Sequence, residues 1–592
     1  MKEILTAVLA AAALSAAALP LSLDEIREPV IVGVPPIYAG HDLCTTADGA
    51  IRHYDQKMHR GKVTRVYVES RDGGLTWKTF PADPKDVGAV FKSPWSDVWV
   101  GFTNRDSIDP NRNRGVFAAR SRLGPGDTAA ELVSLGRSDY ACTRLIAIPS
   151  RRRWLASFVE LTCRRDGGYG AATAYSDDDG RTWRFQDLPG VRDVRRRNPG
   201  SARDHWYCSG CEPALIELKD GSILMCLRTS GPHAAFLRST DGGETWGAPW
   251  TDSRFWQANT RPEFLRLRDG RLLFVWNNTQ LLPELDPTLT PQGERGVAGF
   301  TNRDALHAAI SEDDGKTWIG FRELALSEYR NSVDWRELGN DDAQEKDKSV
   351  HQTQMLELAG GKVLIAYGQN VSTRRLAIFD PAWLYETKRM DSFRQGLAHV
   401  SHHLYLRSAS GGWRGWAGHC AWNRIPGAAM VLNPDISLSN RGDVLQLGRL
   451  RDPRLYSDRA GLVWNFPAAK KGAASVNCRI VGEGFRFTLS DHWMNPCDET
   501  NPALQPVSEK ITSTEAPCRR PIEALKDWHN VAIEWDCAAG TWRLLSDGHE
   551  LRSGQLAWVP AAGFSYLHLQ TLAEGNDPDG THFRNFTMEA RK

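Results

Sequence analysis

The sequence has almost no net charge: 73 Lys and Arg stand against 72 Asp and Glu, a formal +1 at pH 7. That balance excludes bulk electrostatic attraction to nucleic acid or to an anionic membrane, so selection by charge must be local. Beyond residue 20 no stretch is apolar for long enough to span a bilayer as a helix. Cofactor motifs are missing too, and no cofactor is expected. Cys208 and Cys211 form a Cys-x-x-Cys, but no second pair at zinc spacing follows. A structural disulfide or two buried thiols is the expectation there, and no metal site.

What is present points to an exported, sheet-rich protein. The 592 residues suffice for two or three domains. Hydrophobic residues make up 41%, enough for real cores, and 52 glycines with 22 tryptophans suit many tight turns. Lys2 precedes a nearly continuous apolar run from Ile4 to Leu14, then the small residues Ser15, Ala16, Ala17 and Ala18 ahead of Pro20. This is the pattern of a signal peptide over residues 1–20, which predicts a secreted or periplasmic protein. Eleven cysteines are an odd number for an oxidising compartment. Cys478, Cys497, Cys518 and Cys537 lie close in sequence and are expected to allow two bridges, with the pairing open.

Internal repeats organise the chain. Four segments share Ser-x-Asp-x-Gly-x-Thr-Trp: Ser70 to Trp77, Ser176 to Trp183, Ser239 to Trp246 and Ser311 to Trp318. The chemistry is that of a hairpin turn. Ser and Asp side chains hydrogen-bond nearby backbone, glycine takes a positive φ, and Trp packs between neighbouring sheets. The motif is read as structural. These segments resemble the Asp-boxes (BNR repeats) of the sialidase superfamily. That resemblance implies a β-propeller of four-stranded antiparallel blades, each box lying between the third and fourth strands. Box starts at 70, 176, 239 and 311 fit it: the gap of 106 holds two blades, one without a box.

A second repeat counts the blades. An apolar strand, a turn near Asp-Gly and another apolar strand recur at Pro213 to Met225, Pro262 to Phe274 and Met355 to Ile365. Turns near 48, 96, 151, 220, 269 and 360 give six blades over about 30–385. Beyond about 430 the boxes stop, and short alternating segments such as Val531 to Trp535 and Tyr566 to Gln570 read as strands. The predicted fold is therefore all-β: a six-bladed propeller, a connector over 386–430, and a β-sandwich of the lectin or laminin-G sort over 431–592.

Hairpin symmetry places the site. Residues equally far before and after the first turn of a blade emerge together at the opposite end, near the axis. Glu212 and Arg228 bracket Asp220, and Arg261 and Asn277 bracket Asp269. Gln352 beside His351, and Gly368 beside Tyr367, bracket Gly360; His41 and Asp55 bracket Asp48. One mouth should thus gather Glu212, Arg228, Arg261, His351, Tyr367, His41 and Asp55, a ring suited to an anionic or polyhydroxyl ligand.

The family resemblance assigns roles. Cys211-Glu212-Pro213 through Arg228 is similar to the sialidase segment in which a glutamate precedes an arginine by sixteen residues. There the glutamate activates a nucleophilic tyrosine and the arginine binds the sialic acid carboxylate. The run from Asn302 to Ser311 resembles the strand that carries another clamp arginine, here Arg303. Three parts depart from the pattern. No arginine occurs in Tyr38-Ala39-Gly40-His41-Asp42, where the first clamp arginine belongs. The start of the last blade reads Ser349-Val350-His351-Gln352-Thr353, leaving Tyr367 on the neighbouring strand as the tyrosine to reach the mouth. Asp55 is the nearby aspartate for the acid/base role.

The resulting expectation is a sialidase-like exo-glycosidase acting on a terminal acidic sugar. Catalysis would fall to Glu212, Tyr367, His351 and Asp55, and binding to Arg228, Arg303, Arg261 and His41. One alternative is a propeller lyase or hydrolase acting on another uronic-acid or sulfated polysaccharide, with His351 or His41 and Tyr367 as base and acid. Another is a glycan-binding propeller without catalysis. The partner in every case is a glycan or polysaccharide.

Overall fold

In the computed structural model each Ser-x-Asp-x-Gly-x-Thr-Trp segment is a closed turn between antiparallel strands. The box at 239–246 shows how. Ser239 Oγ donates to Asp241 and accepts from the Gly243 amide at 2.8 Å. Asp241 in turn accepts from the Thr245 amide at 2.9 Å and from the Thr245 hydroxyl. Gly243 sits at φ +93°, and a Cβ there would meet Leu155 at 2.5 Å, so the position admits only glycine. In the other three boxes the indole N–H of Trp77, Trp183 and Trp318 donates to the carbonyl of Gly74, Gly180 and Gly315. Trp246 instead reaches Thr173 on the neighbouring blade.

The structure describes residues 22–36, 43–54, 58–59, 62–63, 66–104, 115–137, 140–160, 170–189, 209–229, 231–258, 260–279, 303–328, 330, 349–368, 373–405, 424–426, 429–432, 443–449, 460–494, 496, 505–512 and 528–591. The expected signal peptide, His41, Asp55, Cys208, Cys497 and Cys518 lie outside them.

Six four-stranded antiparallel sheets form the propeller. Blade 1 is Leu43–Thr45, Ile51–Tyr54, Val66–Ser70 and Lys78–Pro81. Blade 2 is Val90–Lys92, Trp99–Asn104, Val116–Ser121 and Glu131–Ser134. Blade 3 is Tyr140–Ile148, Arg153–Glu160, Ala171–Ser176 and Arg184–Asp187. Blade 4 is Ser209–Glu217, Ile223–Thr229, His233–Ser239 and Trp250–Trp256. Blade 5 is Glu263–Arg266, Leu272–Trp276, Ala305–Ser311 and Ile319–Leu326. Blade 6 is Gln354–Glu357, Val363–Tyr367 and Arg375–Phe379, completed by Val30–Gly33 from the start of the chain. That N-terminal strand closes the ring by backbone pairing, Val30 opposite Ile378.

All six first-to-second-strand turns fall where the sequence pattern put them. The four boxes lie between third and fourth strands of blades 1, 3, 4 and 5. Blade 2, which has no box, closes the same connection with Ser121, whose hydroxyl accepts from the Gly124 amide at 2.8 Å and donates to Asp127 at 2.7 Å. First strands of neighbouring blades touch between blades 1 and 2 and from blade 3 round to blade 1, so they line the axis. Apolar side chains fill the wedges between blades, as Val275 and Ile310 of blade 5 do against Ile365 and Phe379 of blade 6.

The C-terminal part is a two-sheet sandwich. One sheet runs Ala429–Leu432, Asp443–Arg449, Asp577–Ala590, Lys471–Ile480, His529–Asp536, Thr541–Ser546, His549–Gln555, with Lys388–Asp391 also paired to Asp577–Ala590. The other runs Val400–Ser401, Gly461–Ala469, Phe564–Thr571, Phe485–Ser490, Val507–Ile511. Between them lies a single core with Trp464, Phe466, Phe485, Phe583 and Phe586. Lys388–Asp391 and Val400–Ser401 fall in the stretch expected as connector, and both are strands of the sandwich. Cys478 and Cys537 are free thiols packed in this core, so the expected pair of bridges among the four late cysteines does not form. They act as small apolar side chains, and burial pushes both thiols up. Cys211, by contrast, is disulfide-bonded.

The sandwich docks on blades 4 and 5. Asn465 accepts from the Glu323 amide at 2.9 Å and donates to the Phe321 carbonyl at 3.1 Å. His492 stacks on Trp256 at 3.8 Å, and the Trp256 indole donates to Asp491 at 3.0 Å. The Asn278 amide donates to His307 Nδ1 at 3.0 Å, which leaves the proton on Nε2 facing Tyr566 Oη at 2.5 Å. Tyr566 then donates to Glu323 at 2.6 Å. Burial pushes His307 down to about 3, so the imidazole in this chain is neutral.

Candidate functional site

The mouth is the end of the blades opposite the boxes. It is reached by the N-terminal ends of first and third strands and the C-terminal ends of second and fourth strands. Glu212 lies at its centre because the first strand of blade 4 is bulged there. Its pairing with Ile223–Thr229 shifts register between Ser209 and Cys211 and again between Cys211 and Ala214. Gly210 takes φ +131° and Glu212 itself φ +40°. A bulge re-aims the side chain it carries, and a glutamate in left-handed backbone costs about 1–2 kcal/mol.

Glu212 is held by charge. Arg228, eight residues past the turn as Glu212 is eight before it, makes an ion pair with it, the side chains 8% and 15% exposed. Burial pushes the Glu212 carboxyl up. The charges of Arg228 and then Arg261, with hydrogen bonds from Arg228 and Gln352, outweigh that and hold it down at about 2. Gln352 reaches Glu212 Oε1 through its amide N–H at 3.4 Å. Gln352 is the second strained residue of the mouth, at φ +57°.

Arg261 is fully buried beside this pair. It donates to the Thr143 carbonyl at 2.6 Å and lies 3.4 Å from Glu263, which also meets Arg144 at 3.0 Å. Burial pulls the Arg261 guanidinium below its usual range, opposed by Glu263 and Glu212. Among the described residues Arg144, Arg228 and Arg261 thus gather around two carboxylates, Glu212 and Glu263. Arg303 adds another guanidinium, 3.3 Å from His351 Nε2, and its carbonyl accepts from the Val350 amide at 2.8 Å.

Of the residues expected at the mouth, the structure brings together Glu212, Arg228 and Arg261, and next to them the pair Arg303 and His351. It does not bring Tyr367 there. Tyr367 follows Val363 and Ile365 on alternate positions of one strand, so all three face the wedge between blades 5 and 6. Burial pushes its phenol up, and the charges that act on it are those of Arg375 and Glu328. His41 and Asp55 are outside the described residues. Sequence reasoning missed Arg144 and Glu263, and it passed over Gln352 for His351. The bracketing rule, applied to the turn near 151, would have pointed to Thr143.

Several buried polar atoms of the mouth have no hydrogen-bond partner among the described residues. They are Gln352 Oε1, Thr353 Oγ1, Thr260 Oγ1 and Asn277 Oδ1. Each such group costs about 1–3 kcal/mol if left unmet, which marks the mouth as a place for a polar ligand or water. No group of three or more His, Cys, Asp or Glu suited to a metal ion occurs among the described residues.

Residues 116–337 match the family model described as a BNR repeat-like domain. No curated protein matches the sequence. Among solved structures the chain is similar to Trypanosoma rangeli sialidase, at 13% identity over 97% of this chain and 94% of that one, TM-score 0.34. It is likewise similar to that sialidase in complex with 2,3-difluorosialic acid, a covalent intermediate, at 14% identity over 94% and 92%, TM-score 0.34. A Dyadobacter fermentans protein of unknown function is similar at 17% identity over 60% of this chain and 97% of that one, TM-score 0.35. Four box turns stand on six blades, and residues 116–337, from the third strand of blade 2 through blade 5, form a BNR repeat-like domain.

Proposed function

We propose that this protein is an exported glycosidase that removes a terminal acidic sugar from a glycan. The observation that carries the reading is Glu212, aimed by a bulge into a mouth where it meets Arg228, with Arg261 and Arg144 gathered beside them. Arg228 and Arg261, with Arg303 beside them, supply planar forks for a carboxylate. Glu212, ionised at any physiological pH, supplies the negative charge that an oxocarbenium-like transition state requires. Asp55 is our candidate for protonating the leaving oxygen, so that water and glycoside become free sugar and alcohol.

A second reading has one observation in its favour. Among the described residues Glu212 meets the guanidinium of Arg228 and the amide of Gln352, neither of them a nucleophile, and Tyr367 packs in the core with Val363 and Ile365. A propeller that binds an acidic glycan without cleaving it fits those two facts as well. The lyase or hydrolase on a uronic-acid or sulfated polysaccharide loses Tyr367 as its acid, and retains His351 as a base.

Fluorogenic α-sialosides, β-glucuronides and α-galacturonides, each beside its neutral counterpart, separate these readings. Release from one acidic substrate and not from its neutral partner is expected, and Arg228→Ala should weaken that preference about tenfold or more. Binding of the acidic sugar without release would establish the second reading.

A further inference from the structure

We propose that Gln352 is a specificity residue of the mouth, contacting the ligand through its side-chain carbonyl. The inference rests on the acidic-sugar reading above and adds to it. The Gln352 amide has two ends with different tasks. Its N–H end faces Glu212 Oε1 at 3.4 Å. Its Oε1 is buried, on a residue only 7% exposed, and has no hydrogen-bond partner among the described residues. A carbonyl oxygen can only accept, so on a sugar acid the group that completes it is a hydroxyl or an amide N–H.

The backbone supports the same assignment. Gln352 is held at φ +57°, between Thr353, which is fully buried, and His351, whose carbonyl accepts from the Gly368 amide at 2.7 Å. Glutamine has no local reason to adopt left-handed backbone, as glycine or asparagine has. Strain of this kind persists where surrounding structure imposes it, and such sites cluster at ligand clamps. The residue it touches, Glu212, is strained in the same sense. Thr353 Oγ1 is a second buried oxygen left without a partner beside it. The arginines would take the acid group of the sugar, and Gln352 would read a hydrogen-bond donor carried near that acid group. The ligand class is thus a hydroxylated or amidated sugar acid, and a bare carboxylate lacks the group that Gln352 reads.

Titration calorimetry of the full chain with N-acetylneuraminate, glucuronate, galacturonate and acetate tests this. The parent and Gln352→Leu are compared, with Arg228→Ala as the control for the acidic-sugar reading. Gln352→Asn, whose side chain tolerates left-handed backbone, takes over if the leucine variant is not recovered folded. The expected result is about a tenfold loss of affinity for the bound sugar acid in the Gln352 variant, with acetate binding unchanged. Arg228→Ala should lower both. Equal loss for acetate and sugar acid would make Gln352 a mere prop for the charged groups and overturn the inference. So would full affinity in the Gln352 variants while Arg228→Ala loses binding, and this outcome leaves the acidic-sugar reading standing. A parent protein that binds none of the three sugar acids would overturn both.

Discussion

The two ends of the blades solve the same problem in opposite ways. At the box end each turn needs positive φ at two successive residues: the second is glycine in every box, Gly74, Gly180, Gly243 and Gly315, and the first is Gly73, Gly242 or an aspartate, Asp179 and Asp314, a side chain that tolerates that region. At the mouth Glu212 and Gln352 take positive φ themselves. At the box end Ser and Asp side chains meet the turn amides, as Asp241 does for Thr245 and Glu244. At the mouth buried oxygens of Gln352, Thr353, Thr260 and Asn277 have no partner among the described residues. The lesson is that the box end is optimised for closure and the mouth is not. At the mouth a glutamate and a glutamine, which left-handed backbone does not favour, stand beside buried oxygens without a partner among the described residues, as befits a place where a ligand is to be held.

The largest test of the contrast is Glu212→Gln. It keeps the shape and removes the charge. Turnover on the acidic substrate should fall roughly 10²–10⁴-fold, the range typical of carboxylates that act on the reacting groups. The folded spectrum and sugar binding should persist. Steady-state kinetics decides it: full turnover in the variant would leave Glu212 as a structural partner of Arg228.

A change at the other end should do the reverse. Asp241→Ala strips the acceptor from the Thr245 and Glu244 amides and from two hydroxyls. Loss of this cap-like set should cost about 1–2 kcal/mol of stability while the turnover number of the folded protein stays unchanged. Denaturant unfolding beside kinetics on one preparation reads both. A drop in turnover at constant stability would show that the two ends are not separable.

What was legible in the sequence follows the same divide. The boxes and Asp-Gly turns are local chemistry, and together with the repeated strand-turn-strand pattern read near 96, 151 and 360 they gave six blades. Glu212 and Arg228 were legible because they bracket one such turn at equal distance. Arg144 was not, because blade 3 turns on Pro149-Ser150-Arg151-Arg152, which carries no Asp-Gly signal, and Glu263 was not, because it stands six residues before Asp269, two short of the spacing that picks out Arg261. Tyr367 was expected at the mouth from its place at the end of its strand, and it packs in the core with Val363 and Ile365. The pairing of Lys388–Asp391 with Asp577–Ala590 joins segments far apart in the chain, and no local pattern announces it. Free Cys478 and Cys537 show the same limit, since proximity in sequence says little about which strand faces which.

The smallest expected effect concerns acid. Asp241 and Glu212 are both held down at about 2, for different reasons. At Asp241 burial pushes up, and the hydroxyls and amides of its own turn outweigh it. At Glu212 burial pushes up, and the charges of Arg228 and Arg261 outweigh it. A depressed folded value means stability that is fully present above the unfolded value, 3.8 for Asp and 4.5 for Glu, and is lost as pH falls through about 2. Asp72, Asp178 and Asp313 of the other boxes are lowered as well, so the box end as a whole weakens below about pH 4. Asp241 is largely solvated, so its share is small: Asp241→Asn should lower Tm by about 1–2 °C at neutral pH, and the deficit should shrink as pH drops from 4 toward 2. Over pH 4.5–7 neither carboxylate changes charge. The affinity of Arg228 and Arg261 for a sugar acid should therefore show no inflection from Glu212 in that window, although the ligand's own carboxyl adds one at its pKa. Calorimetry across the range, with Glu212→Gln as reference, checks it. An inflection near pH 5–6 that disappears in Glu212→Gln would mean that the arginines do not hold Glu212 ionised, and the distinction between a mouth fixed by charge and a turn fixed by dipoles would fall with it.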